Sequence, residues 1–283
     1  MNIYLKIIVD NSVYVPKIKA EHGLSLLVEY DDERILFDTG QSSLLLENCL
    51  KMGIDLKGIT KIVLSHSHYD HTGGLLCLLE YLQKEIEIYI HPSLFEKKYI
   101  QKPAEDSGNK SDKRYIGIQE KRDIYESLGA KFIHVEKPQE IGKDIIVTGE
   151  IPRLHGSMAG KDVFLKETGS TFSIDYIKDD MALLINKKEG TALFCGCCHS
   201  GIINTIEYAK TLTEIKNFLV IAGGFHLSGS YESHISEITN YLRKQDIAIL
   251  IPSHCTGIEA VCFFKNFFKE KVKLSGAGVE FRF

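Results

Sequence analysis

The chain has 283 residues, a length that a single α/β domain can reach and that is sufficient to bury a hydrophobic core. Hydrophobic residues make up 44% and charged residues 25% of the chain. These are ordinary globular values, and they exclude a protein that is disordered throughout. The formal net charge of −4 disfavours nucleic acid as the main partner.

The N-terminal segment and the cysteine content predict a cytoplasmic protein. Residues 1–6 lack a basic stretch followed by an apolar one, so we expect no secretion signal. No apolar run approaches the roughly 20 residues that a membrane span needs, so we expect no membrane partner. The seven cysteines are an odd number in a chain too long to depend on disulfides, which favours a reducing compartment.

The first third of the chain is predicted to begin with strands and to continue with alternating helices and strands. Apolar alternation and β-branched residues predict the strands, with a hairpin turn at residues 31–33. Leucines at helical spacing predict the helices. The expected strands are 3–9, 23–30, 34–38, 62–65 and 86–90, and the expected helices are 43–52 and 74–83.

The second half of the chain repeats this plan, with a hairpin followed by alternating helices and strands. The expected strands are 145–151, 181–187, 191–196, 218–222 and 247–251, followed by a short terminal strand. The expected helices are 201–210, 232–244 and 257–268. We therefore predict one α/β domain over residues 1–283, in which two sheets pack together with helices outside.

Residues from about 93 to 140 are predicted to form an insertion in this plan. Their charged composition and the polar stretch 102–110 indicate helices with a mobile loop. Two interpretations stay open, a lid over a site and a solvated surface excursion. Lys113, Arg114 and Arg153 are candidates to line a pocket, although surface charge is the default interpretation of each.

The segment 66–71, with the sequence His-Ser-His-Tyr-Asp-His, is the most informative part of the chain. Imidazole and carboxylate are ligands that divalent transition metals prefer. His66 and His68 are two positions apart after a buried strand, so their side chains can point the same way. Asp70 and His71 follow after a turn and can reach from another direction. The segment therefore predicts a metal site.

Three later motifs supply further candidate donors, because each places a donor at a strand end before a glycine-containing turn and a helix. Strand ends are where sites assemble in α/β folds. The motifs are residues 194–201, 222–227 and 251–257, and their candidate donors are His199, His226 and His254. Among the cysteines of the first motif, we expect at most Cys197 to be a ligand, whereas Cys198 could equally face the core.

Other polar residues are weaker candidates. Asp38 follows the first hairpin and could accept a hydrogen bond from a ligand imidazole, or it could only form the turn. His22 could line the pocket. We expect turn or capping roles for Asp179 and Asp180. Surface or core roles are expected for His91, His134, His155 and His234, and burial on apolar helix faces for Cys49, Cys77 and Cys262.

These residues resemble the metallo-β-lactamase superfamily, in which His-x-His-x-Asp-His follows a strand and an earlier Asp-Thr-Gly, here residues 38–40. The closer resemblance is to the dihydropterin-ribofuranosylaminobenzene-phosphate synthase-like branch. It covers nearly the whole chain and rests on the segments 37–42, 148–153, 196–205, 223–227 and 254–257. The resemblance implies a four-layer αββα sandwich of two mixed sheets with outer helices.

The resemblance also implies a site for two divalent metal ions, with zinc expected and iron or manganese as alternatives. Carried over by position, the ligands of the first ion would be His66, His68 and His199, and those of the second would be Asp70, His71 and His254.

This chain departs from the superfamily pattern in two places. Cys197 follows Gly196 where many members have a bridging aspartate, and Glu150 stands near the place of a histidine. The third ligand of the first ion is therefore open between His199, Cys197 and His226.

The activity implied by the resemblance is that of a metal-dependent enzyme acting on an anionic, phosphorylated small molecule, with Asp70 and His226 as catalytic candidates. One hypothesis is condensation of a dihydropterin-methyl diphosphate with an aminobenzene ribose phosphate. A second is hydrolysis of a phosphodiester, ester or thioester. A third is a metal or redox sensor without turnover, motivated by the cysteines at 195–198.

Helix N-termini expected near Gly73, Ser200 and Thr256 would favour an anionic ligand.

Overall fold

Two β-sheets pack face to face, and helices cover the outer side of each sheet. The computed structural model describes residues 2–101, 113–156, 163–214 and 216–283. The four layers match the αββα sandwich that the resemblance implies. None of the helices in the described residues has the length and apolar character that crossing a membrane requires.

Within the described residues, the strands in chain order are β1 Tyr4–Val9, β2 Ser25–Tyr30, β3 Glu33–Phe37, β4 Lys61–Val63, β5 Ile86–Ile90, β6 Lys97–Gln101, β7 Lys113–Tyr115, β8 Ala130–His134, β9 Gln139–Gly142, β10 Ile145–Val147, β11 Val163–Thr168, β12 Thr171–Ile174, β13 Ala182–Lys187, β14 Gly190–Cys195, β15 Phe218–Gly224, β16 Ile247–Ser253 and β17 Glu280–Arg282. The α-helices are α1 Leu44–Met52, α2 Tyr69–Thr72, α3 Leu75–Leu82, α4 Arg122–Ser127, α5 Ile202–Leu212, α6 Glu232–Arg243 and α7 Ile258–Phe268. Short 3-10 helices are Leu56–Gly58, His254–Thr256 and Lys269–Lys271.

Both main sheets are mixed, and their parallel strands carry the candidate site. The first sheet has the order β17-β1-β2-β3-β4-β5-β8, and its strands from β3 to β8 pair in parallel. The second sheet has the order β16-β15-β14-β13-β10-β9, and its strands β14, β15 and β16 pair in parallel. The parallel strands of a sheet end at one edge, so the loops after β14, β15 and β16 lie side by side. The loop after β4, at the corresponding edge of the first sheet, meets them.

Apolar side chains fill the spaces between these layers. The inner faces of the two sheets meet through residues such as Leu5, Phe37, Leu183 and Phe194. Helices α1 and α3 cover the first sheet with Leu45, Leu78 and Leu79, and helices α5, α6 and α7 cover the second with Ile206, Ile238 and Phe264. Burying each such side chain contributes about 1.5–3 kcal/mol, so the two sheets hold the site loops on a rigid base.

The predicted helical insertion is wrong for most of the residues that the structure describes. Strands β6 and β7 join β11 and β12 in a third sheet, of order β12-β11-β6-β7, and α4 is a short helix after it. The pairing of β6 with β11 joins residues more than 60 positions apart, such as Tyr99 with Leu165, so no local pattern signals it. The polar stretch 102–110 lies outside the described residues.

Gly223 allows an unusually close approach between β15 and β14. It has a φ of +126°, and a Cβ at this position would lie 2.0 Å from the carbonyl oxygen of Cys195. Directly beyond it, the Gly224 N–H donates to the Gly196 carbonyl oxygen at 2.9 Å. The close approach brings the loops that carry Cys197 and His226 against each other.

The substitution Gly223→Ala is expected to lower the free energy of unfolding by about 3 kcal/mol, because strained backbone and steric overlap add. Urea unfolding followed by circular dichroism measures the loss. The control is Gly53→Ala, at a φ of +68° with no atom within 4 Å of the added Cβ. Because only backbone strain acts in Gly53→Ala, its expected loss of unfolding free energy is about 1 kcal/mol. Equal losses in the two variants would contradict this account of Gly223.

Candidate metal centre

The loop after β4 places its donors inside the protein. His66 and His71 are fully buried, and His68 and Asp70 are 6% exposed. The carboxylate of Asp38, at the end of β3, accepts a hydrogen bond from His71 Nδ1 at 2.6 Å. It also accepts from the backbone N–H and the hydroxyl of Ser65, both at 2.7 Å. With Nδ1 bound to Asp38, His71 presents Nε2 to the site, the orienting role that the sequence suggested for this carboxylate.

The first cluster consists of His66, His68 and His199. The ring centroid of His66 is 4.5 Å from that of His68, and His199 is 4.8 Å from both. Four nitrogens of these rings are buried without a hydrogen-bond partner, namely Nε2 of His66, Nε2 of His68 and both ring nitrogens of His199. Buried polar atoms are almost always paired, so these unpaired nitrogens fit a bound metal ion.

Burial also sets the protonation state of the first cluster. It lowers the pKa of His68 to about 3 and holds the pKa of His66 and of His199 well below the usual range. Neighbouring imidazoles lower the pKa of His66 and His199 further. The three rings are therefore neutral near neutral pH, which is the form that binds a metal.

The second cluster consists of Asp70, His71 and His254, with His22 beside it. The Nε2 atoms of His71 and His254 are 3.2 Å apart. Asp70 Oδ2 is 3.2 Å from His254 Nε2 and 3.2 Å from His22 Nε2. Burial alone would raise the pKa of Asp70, but the charge of His71 and hydrogen bonds from His22 and His254 hold it well below its usual range. The carboxylate is thus ionised and available to a cation.

Residues near the N-terminus orient His254, a role that no local sequence pattern indicates. Asn11 Oδ1 lies 2.8 Å from His254 Nδ1, and Asp10 accepts the His254 backbone N–H at 3.0 Å. Both residues follow β1, more than 240 positions before His254. With Nδ1 bound to Asn11, His254 presents Nε2 to the second cluster.

Cys197 lies between the two clusters. Its sulfur is 3.1 Å from His71 Nε2. It shares a potential metal position with His66 and His199, and another with His71 and His254, and within each group the donor atoms lie within 4.8 Å of one another. A further group joins Cys197 to His226 and Cys255.

His226 lies next to the first cluster. Its ring centroid is 4.4 Å from that of His199, and its Nδ1 is buried without a hydrogen-bond partner. Of the three residues that competed for the last ligand of the first ion, His199 is the one whose ring lies against both His66 and His68. His226 lines the same cavity as the two clusters.

Asp179 and Asp180 each hold one of the two histidine loops, a role beyond the turn or capping function predicted for them. Asp179 accepts the Ser67 N–H at 2.8 Å, and Asp180 accepts the Ser200 N–H at 2.7 Å. Asp179 also forms an ion pair with Lys98 of β6, which is 1% exposed. Asp179 thereby joins the third sheet to the loop after β4.

Several site residues have strained backbones, which the sequence could not reveal. The φ angles are +62° for Asp38, +51° for His226 and +49° for His254, and the core residue Cys198, next to His199 in the chain, has a φ of +53°. Each follows a strand, and a non-glycine residue in this region costs about 1–3 kcal/mol. Such strain persists where the surrounding structure imposes it, and it clusters at functional sites.

A cavity of about 820 Å³ opens onto both clusters. Arg114, one of the candidates to line a pocket, lies on its wall together with the apolar residues Ile100, Ile116 and Phe164 of the third sheet and its flanks. Of the three helix N-termini predicted near an anionic ligand, that of α7 lines this cavity through Gly257. The first turn of α5 lines a smaller cavity of about 210 Å³ instead.

Other predicted candidates lie away from the clusters. Arg153 donates to the Tyr176 and Ile177 carbonyl oxygens, and Lys113 lies 3.8 Å from the centre of the Phe172 ring. Cys198 packs in the core and Cys49 is buried. The predicted burial of Cys262 is wrong, because it lies exposed on α7.

Comparison with known proteins agrees with this arrangement. Residues 18–156 match the metallo-beta-lactamase superfamily. An uncharacterized protein of Methanocaldococcus jannaschii is 40% identical over 257 residues, which cover 91% of this chain and 92% of that protein. The chain belongs to the metallo-beta-lactamase superfamily.

Two further relatives extend this superfamily assignment. The 7,8-dihydropterin-6-methyl-4-(beta-D-ribofuranosyl)-aminobenzene-5'-phosphate synthase of M. jannaschii is 29% identical over 282 residues, covering 97% of this chain and 94% of the synthase. The crystal structure of a metal-dependent hydrolase of the beta-lactamase superfamily is 29% identical, with a TM-score of 0.83 and coverage of 99% of this chain and 98% of that one. These similarities support the synthase-like branch and a metal-dependent enzyme.

The substitution Asp179→Asn is expected to lower the free energy of unfolding by about 3 kcal/mol, because it removes the closer carboxylate from buried Lys98. Asp175 stays 3.4 Å from Lys98 and limits the loss. Urea unfolding measures it. The exposed control Asp32→Asn is expected to change stability by less than about 0.5 kcal/mol. A loss no greater than that of the control would refute the structural role of Asp179.

Proposed function

We propose that this superfamily member is a two-metal enzyme that acts on a phosphorylated small molecule. The unpaired, neutral imidazoles of the first cluster carry the proposal, because such buried nitrogens need a cation or another partner. The proposed ligands of one ion are His66, His68 and His199. The proposed ligands of the other ion are Asp70, His71 and His254, with zinc as the expected metal.

The proposed reaction is condensation of a dihydropterin-methyl diphosphate with an aminobenzene ribose phosphate, with release of diphosphate. The similarity to the synthase over 97% of this chain supports it. Two divalent ions would neutralise the negative charge of the leaving diphosphate.

The cavity walls suit the two chemical parts of such a substrate. Arg114 and the N-terminus of α7 provide positive charge and backbone N–H groups for phosphate oxygens. Phe164 and Ile116 form an apolar wall of the kind that buries a flat ring. Asp70 is held ionised within the second cluster, where it would bind the cation and orient the reacting group.

Hydrolysis of a phosphodiester, ester or thioester is the second candidate function. It is favoured by the structural similarity to a metal-dependent hydrolase at a TM-score of 0.83. The same residues would serve it, with Asp70 orienting the attacking water.

Incubation of the zinc-loaded full chain with the two condensation substrates tests the proposal. Mass spectrometry is expected to detect the pterin conjugate together with diphosphate. The substitution His68→Ala is expected to lower the rate at least about 100-fold, because it removes a metal ligand. His134→Ala, at an exposed position on β8, is the control and should keep the wild-type rate.

Two results would reject the condensation reaction. One is absence of the conjugate while phosphodiester, ester or thioester substrates are hydrolysed in a His68-dependent manner. The other is conjugate formation that His68→Ala does not slow.

A further inference from the structure

The Cys197 sulfur lies close to donor atoms of both proposed metal ions. It belongs to one donor group with His66 and His199 and to another with His71 and His254. In each group the donor atoms lie within 4.8 Å of one another. Cys197 is the one residue that the two groups have in common, so its sulfur lies where the first and second clusters meet.

The backbone around Cys197 is fixed by close packing. A Cβ on the preceding Gly196 would lie 2.1 Å from the Ser65 hydroxyl oxygen and 3.2 Å from Asp38 Oδ2. The Gly196 carbonyl oxygen accepts the Gly224 N–H at 2.9 Å. Cys197 itself is 4% exposed. Gly196 and Cys197 are thus packed between Asp38 and β15, which fixes the sulfur where the clusters meet.

We propose that the Cys197 thiolate bridges the two metal ions, as a one-atom sulfur link. This inference rests on the proposed two-ion centre. A zinc–thiolate bond is about 2.3 Å long, so one sulfur can reach two ions that are about 3.5–4 Å apart. Binding replaces the thiol proton, which leaves to solvent, by two metal–sulfur bonds.

Charge balance supports a thiolate at this place. Two divalent ions bring four positive charges into a buried site, and the imidazoles of His66, His68 and His199 are neutral ligands. Asp70 supplies one negative charge to the second cluster only. An anionic sulfur between the clusters lowers the repulsion between the two ions, which a neutral ligand would not do.

A thiolate bridge also selects the metal. Soft sulfur ligands favour zinc and its thiophilic analogues cobalt and cadmium, whereas magnesium, calcium and manganese prefer oxygen ligands. The bridge therefore favours zinc over manganese, and the preference should weaken when the sulfur is replaced by oxygen.

Cys255 is the other thiol that a metal near Cys197 could meet. Its sulfur lies 3.6 Å from the Cys197 carbonyl oxygen, and it shares a donor group with Cys197 and His226. An experiment that detects metal–sulfur bonds must therefore distinguish the two cysteines.

Cadmium NMR on the full chain, loaded with the NMR-active isotope, tests the bridge directly. We expect two equivalents of cadmium and two signals, both displaced downfield by sulfur and coupled to each other through it. In Cys197→Asp, whose carboxylate can still bridge, two cadmium ions should remain while both signals move upfield. Cys255→Ser and the exposed control Cys262→Ser should leave both signals in place.

Each alternative result overturns a defined part of the proposal. If one signal alone moves in Cys197→Asp, the sulfur binds a single ion and the bridge is wrong. If neither moves, or if Cys255→Ser moves the signals instead, Cys197 is not the sulfur ligand. If the wild-type chain binds fewer than two cadmium ions, the two-ion centre itself is wrong, so failure of the proposed function is distinguished from failure of the bridge.

Discussion

The buried carboxylate of Asp38 sets the orientation of imidazoles in both histidine clusters. It receives hydrogen bonds from His71 Nδ1 and from the backbone and hydroxyl of Ser65, all within 2.7 Å. The Ser65 hydroxyl in turn lies 2.9 Å from His66 Nδ1. One buried carboxylate thus orients an imidazole of each cluster. Because it is fully buried with a strained backbone, it can hold this position only while the two sheets stay packed.

The two halves of the chain complete the centre in different ways. The first half supplies four candidate donors from one short segment, the loop after β4 and the helix α2, namely His66, His68, Asp70 and His71. The second half supplies single donors from the ends of neighbouring parallel strands, and the close approach at Gly223 lets those loops meet. We therefore expect metal affinity to depend on the packing of the second sheet, since a shift of β15 against β14 would displace the candidate donors.

The sequence indicated the candidate donors because histidines at strand ends are a local pattern, visible without the fold. The contacts of Asp179 could not be predicted from the sequence, because its partners Ser67 and Lys98 are 112 and 81 positions away from it in the chain. The third sheet was missed for the same reason, and its strand β12 is exposed along its length, so it lacks the alternation of a half-buried strand. The burial of Cys262 was wrong because the apolar residues around it on α7 do not all face the core.

The proposed two-ion centre can be tested with a crystal of the full chain that is soaked in zinc and measured on both sides of the zinc absorption edge. We expect two anomalous peaks of similar height, one among His66, His68 and His199 and one among Asp70, His71 and His254. A single peak, or strong peaks outside these clusters with none within them, would contradict it.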